Sequence, residues 1–125
     1  MQLYEDTRQK IGKHENIEKQ CLQLGIIKER KPLKVGDYMI DCCDHIAIDT
    51  KANLLELAKD FSKTDKSRFY RNFKNSIKYK IKLIILIEQG GQIKSIKDVV
   101  NWHNPLKGKI KYAISGRQLM EKIYQ

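Results

Sequence analysis

Two carboxylates and a lysine occur at a spacing that could support hydrolysis of a phosphodiester bond. Asp37 follows Gly36 at the start of one predicted strand, and Asp49 and Lys51 lie on the next. Successive side chains on a strand point to opposite faces, so Asp49 and Lys51 share a face while Thr50 lies on the other. One face of this pair of strands is therefore expected to be polar and to carry the chemistry.

A short polar segment at residues 42–44 separates the two strands and predicts a hairpin with a three-residue loop. Such a loop sets Asp37 opposite Asp49. Like charges at that distance repel, and hard carboxylate oxygens suit Mg²⁺, or Mn²⁺ in its place, as the cation that relieves the repulsion. Beside that metal, Lys51 could orient or help to deprotonate the attacking water and offset charge on the phosphate. The same spacing also fits an ordinary solvated hairpin.

The composition favours a polyanionic partner, nucleic acid first. The 125 residues include 25 Lys and Arg against 15 Asp and Glu, for a formal net charge of +10.

The length of the chain suits a single domain over residues 1–125. The acidic N-terminus does not resemble a signal peptide, and the longest apolar run, residues 83–87, is far too short to span a membrane. Three cysteines, two of them adjacent, fit a reducing cytoplasm.

The elements that must position these residues are a mixture of strands and helices. Strands are predicted at residues 3–7 and 26–33 in addition to the hairpin, and helices at 15–24 and 53–62. The continuous apolar run at 82–87 predicts a central strand that is buried on both faces. This mixture favours a three-layer α/β arrangement, in which helices flank a central mixed sheet.

A helix that begins after Thr64 or Asp65 would carry a basic outer stripe. At helical spacing Phe69, Phe73 and Ile77 face inward. The outward positions are Arg71, Lys74 and Lys78. Such a stripe fits a solvated helix face, and it equally fits a surface that follows a phosphate backbone without reading bases.

Two serines in the last third of the chain have the capping-box pattern that opens a helix. Ser95 is followed by Asp98, and Ser115 by Gln118, at the three-residue spacing that the pattern requires. The expected elements are helices at about 96–103 and 116–124, with a short strand at 110–114 between them.

The histidines and cysteines do not form a convincing site. His14, His45 and His103 are not spaced as a ligand set or as a nucleophile with its base. The adjacent Cys42 and Cys43 cannot easily occupy two corners of a zinc tetrahedron. Neither group is therefore a site candidate.

Five short motifs follow one another along the chain. They are Asp6-Thr7-Arg8, Gly36-Asp37-Tyr38, Ile48-Asp49-Thr50-Lys51, Arg68-Phe69 and Leu83-Ile84-Ile85-Leu86-Ile87-Glu88. In this order they resemble the XPF-type nuclease domain, most closely the small stand-alone versions found in phages and prophages. The resemblance covers nearly the whole chain, and its specificity comes from the order of the motifs rather than from any one of them.

The resemblance implies a restriction-endonuclease-like fold and a Mg²⁺-dependent endonuclease that acts on branched or flapped DNA. It would place the protein in the cytoplasm of a bacterial cell or a phage-infected host, and it leaves a homodimer open. The residue roles that it implies are metal binding and catalysis by Asp37 and Asp49, with Lys51 as the catalytic lysine and Asp6 in support beside Arg8. Thr50 is predicted as a further metal ligand. The predicted DNA-binding residues are Arg8 and Arg68, together with the basic stripe of Arg71, Lys74 and Lys78.

Several departures from the family pattern bear on activity. Larger members read Glu-Arg-Lys where this chain has Asp49, Thr50 and Lys51. The acid that often follows the lysine by four positions is Leu55 here, so its supporting role is vacant or is taken by the neighbouring Glu56. The common Glu after Asp-x-Arg is also replaced, by Gln at position 9. A second hypothesis is therefore a nucleic-acid-binding module whose nuclease site has decayed, and a third is an interaction protein whose basic face meets an acidic partner.

Overall fold

The computed structural model describes residues 2–64, 66–111 and 113–125 as a mixed α/β chain. In chain order the elements are β1 (Gln2–Asp6), α1 (Glu15–Gln23), β2 (Ile27–Lys31), β3 (Tyr38–Ile40), β4 (Cys43–Lys51), α2 (Leu54–Phe61), α3 (Arg68–Lys78), β5 (Lys82–Ile87), the 3₁₀ helix η1 (Ile96–Asn101) and α4 (Gly116–Ile123). Within these residues the strands form one sheet in the order β2-β1-β3-β4-β5. β1 runs parallel to β2 and antiparallel to β3, so the sheet is mixed.

The predicted hairpin is formed by β3 and β4. These strands are antiparallel, with Tyr38 opposite Ile48. The strand pairing begins at Tyr38, so the prediction that Asp37 lies opposite Asp49 stays a prediction. The turn consists of residues 41–42 and not 42–44, because β4 already begins at residue 43. A register shift at the end of β3 accommodates the shorter turn.

The chain divides into two compact units, and each has its own buried apolar residues. Unit 1 comprises Met1–Thr50 and Arg68–Leu86, and unit 2 comprises Lys51–Ser67 and Ile87–Gln125. The core of unit 1 includes Cys21, Leu33, Val35, Tyr38, Ala47 and Phe69, and the core of unit 2 includes Leu54, Leu57, Ala58, Val99 and Leu119. The assignment of residues 1–125 to a single domain stays a prediction.

β5 is an edge strand, so the prediction of a central strand that is buried on both faces is wrong. It ends the strand order, and alternate side chains on one face are open to solvent: Ile84 is 41% exposed and Leu86 is 45% exposed. A continuous apolar run shows that a strand can be buried, but the number of neighbours and covering layers is set by the rest of the fold.

The inner face of α3 also differs from the prediction. The helix begins at Arg68, several residues after Thr64, and Asp65 lies outside the described residues. Ile77, predicted to face inward, is 80% exposed. The buried positions are Phe69, Asn72 and Ser76. Two of these three residues are polar, so a search for apolar residues at helical spacing does not find them. It selects a face of the helix that is slightly rotated from the one that is buried.

The capping boxes of unit 2 are present where the sequence predicts them. Asp98 accepts hydrogen bonds from the backbone N–H groups of Lys94 (2.9 Å) and Ser95 (3.0 Å), and the helix that follows is a short 3₁₀ helix. These bonds hold the pKa of Asp98 below its usual value. Ser115 and Gln118 open α4 in the same way. Residues 110–114, expected to form a strand, contain only an isolated bridge from residue 110 within their described part, which leaves out residue 112.

No helix in the described ranges is long and apolar enough to cross a membrane.

Candidate active site

Gly36 sets the position of Asp37 because no larger residue fits there. Its φ is +72°, and a Cβ atom at this position would lie 2.8 Å from the backbone oxygen of Ile48. Its N–H group faces the Asn72 side-chain oxygen on α3 at 3.4 Å. The Asp37 N–H group then donates to the same Ile48 oxygen at 2.7 Å. The Gly-Asp pair therefore docks the chain against β4 with the carboxylate directed to one place.

Both oxygens of the Asp37 carboxylate contact hydrogen-bond donors. Oδ2 accepts from the Thr50 backbone N–H at 2.8 Å and from the Thr50 hydroxyl at 2.7 Å. Oδ1 accepts from Nη2 of Arg68 at 3.2 Å. Asp37 is only 3% exposed. A buried carboxylate with these partners is held in one orientation.

Asp6 forms a second buried carboxylate next to Arg68. Its side chain is fully buried, and Oδ2 accepts from Nε of Arg8 at 2.6 Å and from Nη2 of Arg68 at 3.2 Å. Oδ1 accepts from the Leu33 N–H group at 3.1 Å. Arg68 therefore links Asp6 to Asp37 while its own side chain is 40% exposed. This arrangement contains the predicted pair of Asp6 and Arg8.

Asp49 lies on β4 and is 4% exposed. The neighbouring Thr50 and Lys51 are also buried, as is Ala47 two residues earlier. By contrast, Ile48 on the other face is only partly buried. Thr50 on that other face is buried as well, so both faces are buried at the end of β4, which is an unusual environment for a carboxylate.

Lys51 pairs with an acid that the sequence did not reveal. Its Nζ atom lies 2.7 Å from Oδ2 of Asp60 on α2, and the two side chains are 9% and 6% exposed. The other Asp60 oxygen lies 2.7 Å from Nζ of the more exposed Lys63. The suggested substitute, Glu56, instead accepts a hydrogen bond from the backbone of Ala52 at 2.8 Å. Within unit 2, Asp60 is therefore an acid that contacts Lys51, and neither Leu55 nor Glu56 is shown in that position.

His14 also approaches the site, although its spacing in the sequence gave no reason to expect this. It is 8% exposed, and its Nε2 atom lies 3.0 Å from the Thr50 hydroxyl. The Thr50 hydroxyl donates its hydrogen bond to Asp37, so its oxygen is left as an acceptor. We therefore assign the Nε2–H group of His14 as the donor to that oxygen. A hydrogen-bond chain therefore runs from His14 through Thr50 to Asp37. His14 also makes an edge contact with the ring of Tyr38.

Tyr38 has a structural environment. It is 2% exposed, and its hydroxyl donates to Glu5 at 3.1 Å. Burial raises the pKa of Tyr38 well above its usual range, and the charge of Glu5 raises it further. Glu5 also pairs with Lys28, at 3.2 Å, and with Arg30 on β2. This cluster joins β1 to its neighbours and leaves the Tyr38 hydroxyl protonated.

The donor atoms in unit 1 suit a hard divalent cation. Mg²⁺ is usually bound through one or two carboxylates while it keeps several waters or substrate oxygens, and Asp37 and Asp49 supply such a pair. Gln9, in the turn after β1, is 6% exposed, and its side-chain oxygen has no hydrogen-bond partner among the described residues. No group of three or more His, Cys, Asp or Glu side chains in the described ranges is arranged to hold a metal. Carboxylate oxygens are the kind of ligand that Mg²⁺ or Mn²⁺ prefers, and metal binding by Asp37 and Asp49 stays a prediction.

The residues assigned to DNA binding fall into two groups. Arg8 and Arg68 already contact Asp6, so their guanidinium groups are partly engaged inside the protein. By contrast, the side chains of the predicted outer stripe of α3 are exposed. This stripe consists of Arg71, Lys74 and Lys78. The metal role of Thr50 and all the DNA-binding assignments stay predictions.

No family model matches the chain, and no match was found among curated proteins. Among solved structures, the chain is similar to XPF from Aeropyrum pernix, with 16% sequence identity and a TM-score of 0.35. The alignment covers 70% of this chain and 54% of that one, so the present chain spans about half the length of its structural neighbour.

Proposed function

We propose that this protein is a Mg²⁺-dependent endonuclease that hydrolyses phosphodiester bonds in branched or flapped DNA, on a restriction-endonuclease-like three-layer fold. The observation that carries the proposal is the burial of two carboxylates, Asp37 and Asp49, with a buried lysine two residues after Asp49 on β4. Burying charged groups costs stability, and such groups concentrate at functional sites. The basic composition and the exposed stripe of α3 supply a partner for the phosphate backbone.

In this proposal Asp37 and Asp49 hold the metal, and the surrounding side chains fix their orientation. Bound Mg²⁺ would polarise the phosphate and assist ionisation of the attacking water. Thr50 holds one oxygen of Asp37, and His14 in turn holds the Thr50 hydroxyl. Asp6 keeps Arg68 next to the carboxylates, from where its partly exposed guanidinium can reach a phosphate.

Lys51 provides the fixed positive charge of the proposed reaction. Its ammonium group is directed by Asp60, so it does not need to reorient as charge develops on the phosphate oxygens. The same group can orient the attacking water through an N–H donor. Asp60 is therefore a positioning residue, which acts through Lys51 and not on the substrate.

The direct test is cleavage of a flap, a four-way junction and a plain duplex by the parent protein and by Asp49→Asn. This change removes a charge and a ligand while it keeps the shape of the side chain. Loss of an outer-shell partner already lowers metal-site activity by about 10–100-fold, so loss of a ligand should lower cleavage by more than about a hundredfold. Asp44→Asn is the matched control, because the Asp44 side chain is 99% exposed.

Two further measurements separate the nuclease from its alternatives. The parent protein should cleave only with Mg²⁺ or Mn²⁺, and Asp49→Asn should retain DNA binding with a normal circular dichroism spectrum. Cleavage by the variant at saturating Mg²⁺ would contradict the assignment of the site. One observation favours the inactive binding module: Arg68 already places a positive charge on Asp37. DNA binding by the parent protein without cleavage at any divalent-ion concentration would select that alternative.

A further inference from the structure

Unit 2 contains a segment with positive charge and no acidic residue. From residue 99 to residue 120 the chain has no Asp or Glu, while three lysines lie in the loop at residues 105–111, which we call the basic loop. They are Lys107, Lys109 and Lys111. This stretch of the sequence therefore has a net positive charge.

All three lysines are exposed, and an apolar side chain is exposed among them. Ile110, which lies between Lys109 and Lys111, is 52% exposed. Lys107 keeps part of the loop in place by donating to the backbone oxygen of Ala113 at 3.2 Å. The loop therefore presents cations and one apolar group to the solvent side of unit 2.

The loop is closed at its base by a buried amide. Asn104 is 9% exposed, and it donates from Nδ2 to the Ile114 oxygen while its Oδ1 accepts from the Leu106 N–H group, both at 2.9 Å. Within the loop, the Leu106 oxygen accepts from the N–H groups of residues 109 and 110 at 3.0 Å each. Gly108, with φ of +85°, allows this tight turn. The cations are therefore displayed on a preformed scaffold.

We propose that the basic loop is a second contact for the phosphate backbone of nucleic acid, separate from the exposed stripe of α3. The inference rests on the proposed function for its class of partner. A preformed loop loses little conformational entropy on binding, so its lysines can contribute fully to affinity. Lysine meets phosphate as a point charge and reads no base, so the contact should hold many DNA structures alike.

The test compares two triple variants that have the same change in net charge. The first is Lys107→Glu with Lys109→Glu and Lys111→Glu. The control is Lys59→Glu with Lys94→Glu and Lys97→Glu, three lysines that are exposed in the same unit. Binding of a fluorescent duplex is measured over a salt series. The loop variant should bind at least about tenfold more weakly than the control at low salt, and its log–log salt slope should be shallower by ~0.9 for each phosphate that the loop no longer neutralises.

A second variant separates the scaffold from the charge. Asn104→Ala keeps every lysine but removes both side-chain bonds that close the loop. It should bind about two- to fivefold more weakly than the parent with a nearly unchanged salt slope, because the same counterions are released from a less ordered loop. Circular dichroism and thermal unfolding must show that the variant is folded. Wild-type affinity in a folded Asn104→Ala protein would overturn the role given to the scaffold.

The remaining outcomes distinguish this inference from the proposed function. Equal losses of affinity in the loop and control variants would mean that net charge alone matters, and would overturn the inference. If Arg71→Glu with Lys74→Glu and Lys78→Glu weakens binding while the loop variant behaves like the control, the inference fails and the nuclease proposal stands. If the parent protein binds no DNA at low salt, both fail. Loop-dependent binding to phosphatidylserine vesicles without loop-dependent DNA binding would assign the loop to membranes instead.

Discussion

Each compact unit contains a buried carboxylate in contact with a cation, and the two contacts differ in how firmly the cation is held. In unit 1 the Arg68 guanidinium lies 3.2 Å from both Asp6 and Asp37, and its side chain is 40% exposed. In unit 2 the Lys51 ammonium lies 2.7 Å from Asp60, and its side chain is 9% exposed. The first contact is longer, shared between two acids and open to water, whereas the second is short and enclosed.

This difference implies that the two cations have different roles. The Arg68 guanidinium is open to water, which can solvate it, so Arg68 can leave Asp37 when another cation or a phosphate arrives. Breaking an enclosed pair is costly, at about 3–5 kcal/mol when one partner is removed. Lys51 therefore keeps its position throughout a reaction, as a preorganised charge must. The structure thus combines an exchangeable cation at the proposed metal ligands with a fixed cation on β4.

The largest effect is expected from removing the fixed cation. Lys51→Met keeps an unbranched apolar side chain but removes the charge. If the charge acts in the transition state, kcat should fall by about 10²–10³-fold, as when one oxyanion donor is removed, while KM changes only a few-fold. Steady-state cleavage of a flap substrate gives both constants.

Lys63→Met is the matched control for this variant, because Lys63 contacts the other oxygen of Asp60 but is 54% exposed. It should retain nearly full activity. A rise in KM for Lys51→Met that equals its loss of kcat/KM would make Lys51 an anchor for the ground-state phosphate.

An intermediate effect is expected from removing the residue that holds Lys51. Asp60→Asn leaves the lysine charge in place but loosens its direction, so kcat should fall about tenfold with little change in KM. Thermal unfolding should show a loss of up to about 3 kcal/mol, at the lower end of the range for a broken buried pair. Asp60→Glu should restore part of the activity, whereas Asn in place of the exposed Asp44 should change nothing. Full activity in a destabilised Asp60→Asn protein would show that this acid is only structural.

The parts of the molecule that could be predicted from the sequence depend on short-range rules. The hairpin that pairs Tyr38 with Ile48 follows from a Gly-Asp start, strand alternation and a short turn. The capping boxes at Ser95 and Ser115 are contained in four consecutive residues each. In these cases the deciding contacts are formed by residues that are close in sequence, so the pattern carries enough information.

The contacts that could not be predicted join residues that are distant in sequence or depend on neighbouring layers. Asp60 contacts Lys51, which lies nine positions earlier in the chain. The one feature of the sequence that could have pointed to a buried acid is the position of Asp60, three residues after Leu57 on the apolar side of α2. His14 meets Thr50 across 36 positions, for which no spacing rule exists. The edge position of β5 depends on which strands pair with it. Each of these features is decided by tertiary packing, and local propensity does not determine it.

The smallest effect is expected from removing the exchangeable cation. Arg68→Gln takes the guanidinium away from Asp6 and Asp37, which are fully buried and 3% exposed respectively. Asp6 then keeps only its contact with Arg8, and Asp37 loses its contact with a cation, so the variant should be less stable than the parent in the absence of divalent ions. Mg²⁺ should then bind more tightly, because it no longer competes with the guanidinium for Asp37.

Thermal unfolding with and without Mg²⁺ measures this competition without relying on cleavage. A fivefold gain in affinity corresponds to ~1 kcal/mol of additional stabilisation at saturating Mg²⁺. For a chain of this size that amounts to an extra rise of about 4 °C in the unfolding midpoint. Arg71→Gln, on the exposed side of the same helix, should show the same Mg²⁺-dependent rise as the parent. If Arg68→Gln shows the same Mg²⁺-dependent rise as the parent, Arg68 does not compete with the metal. Arg68 would then not be an exchangeable cation, and the contrast with Lys51 would fail.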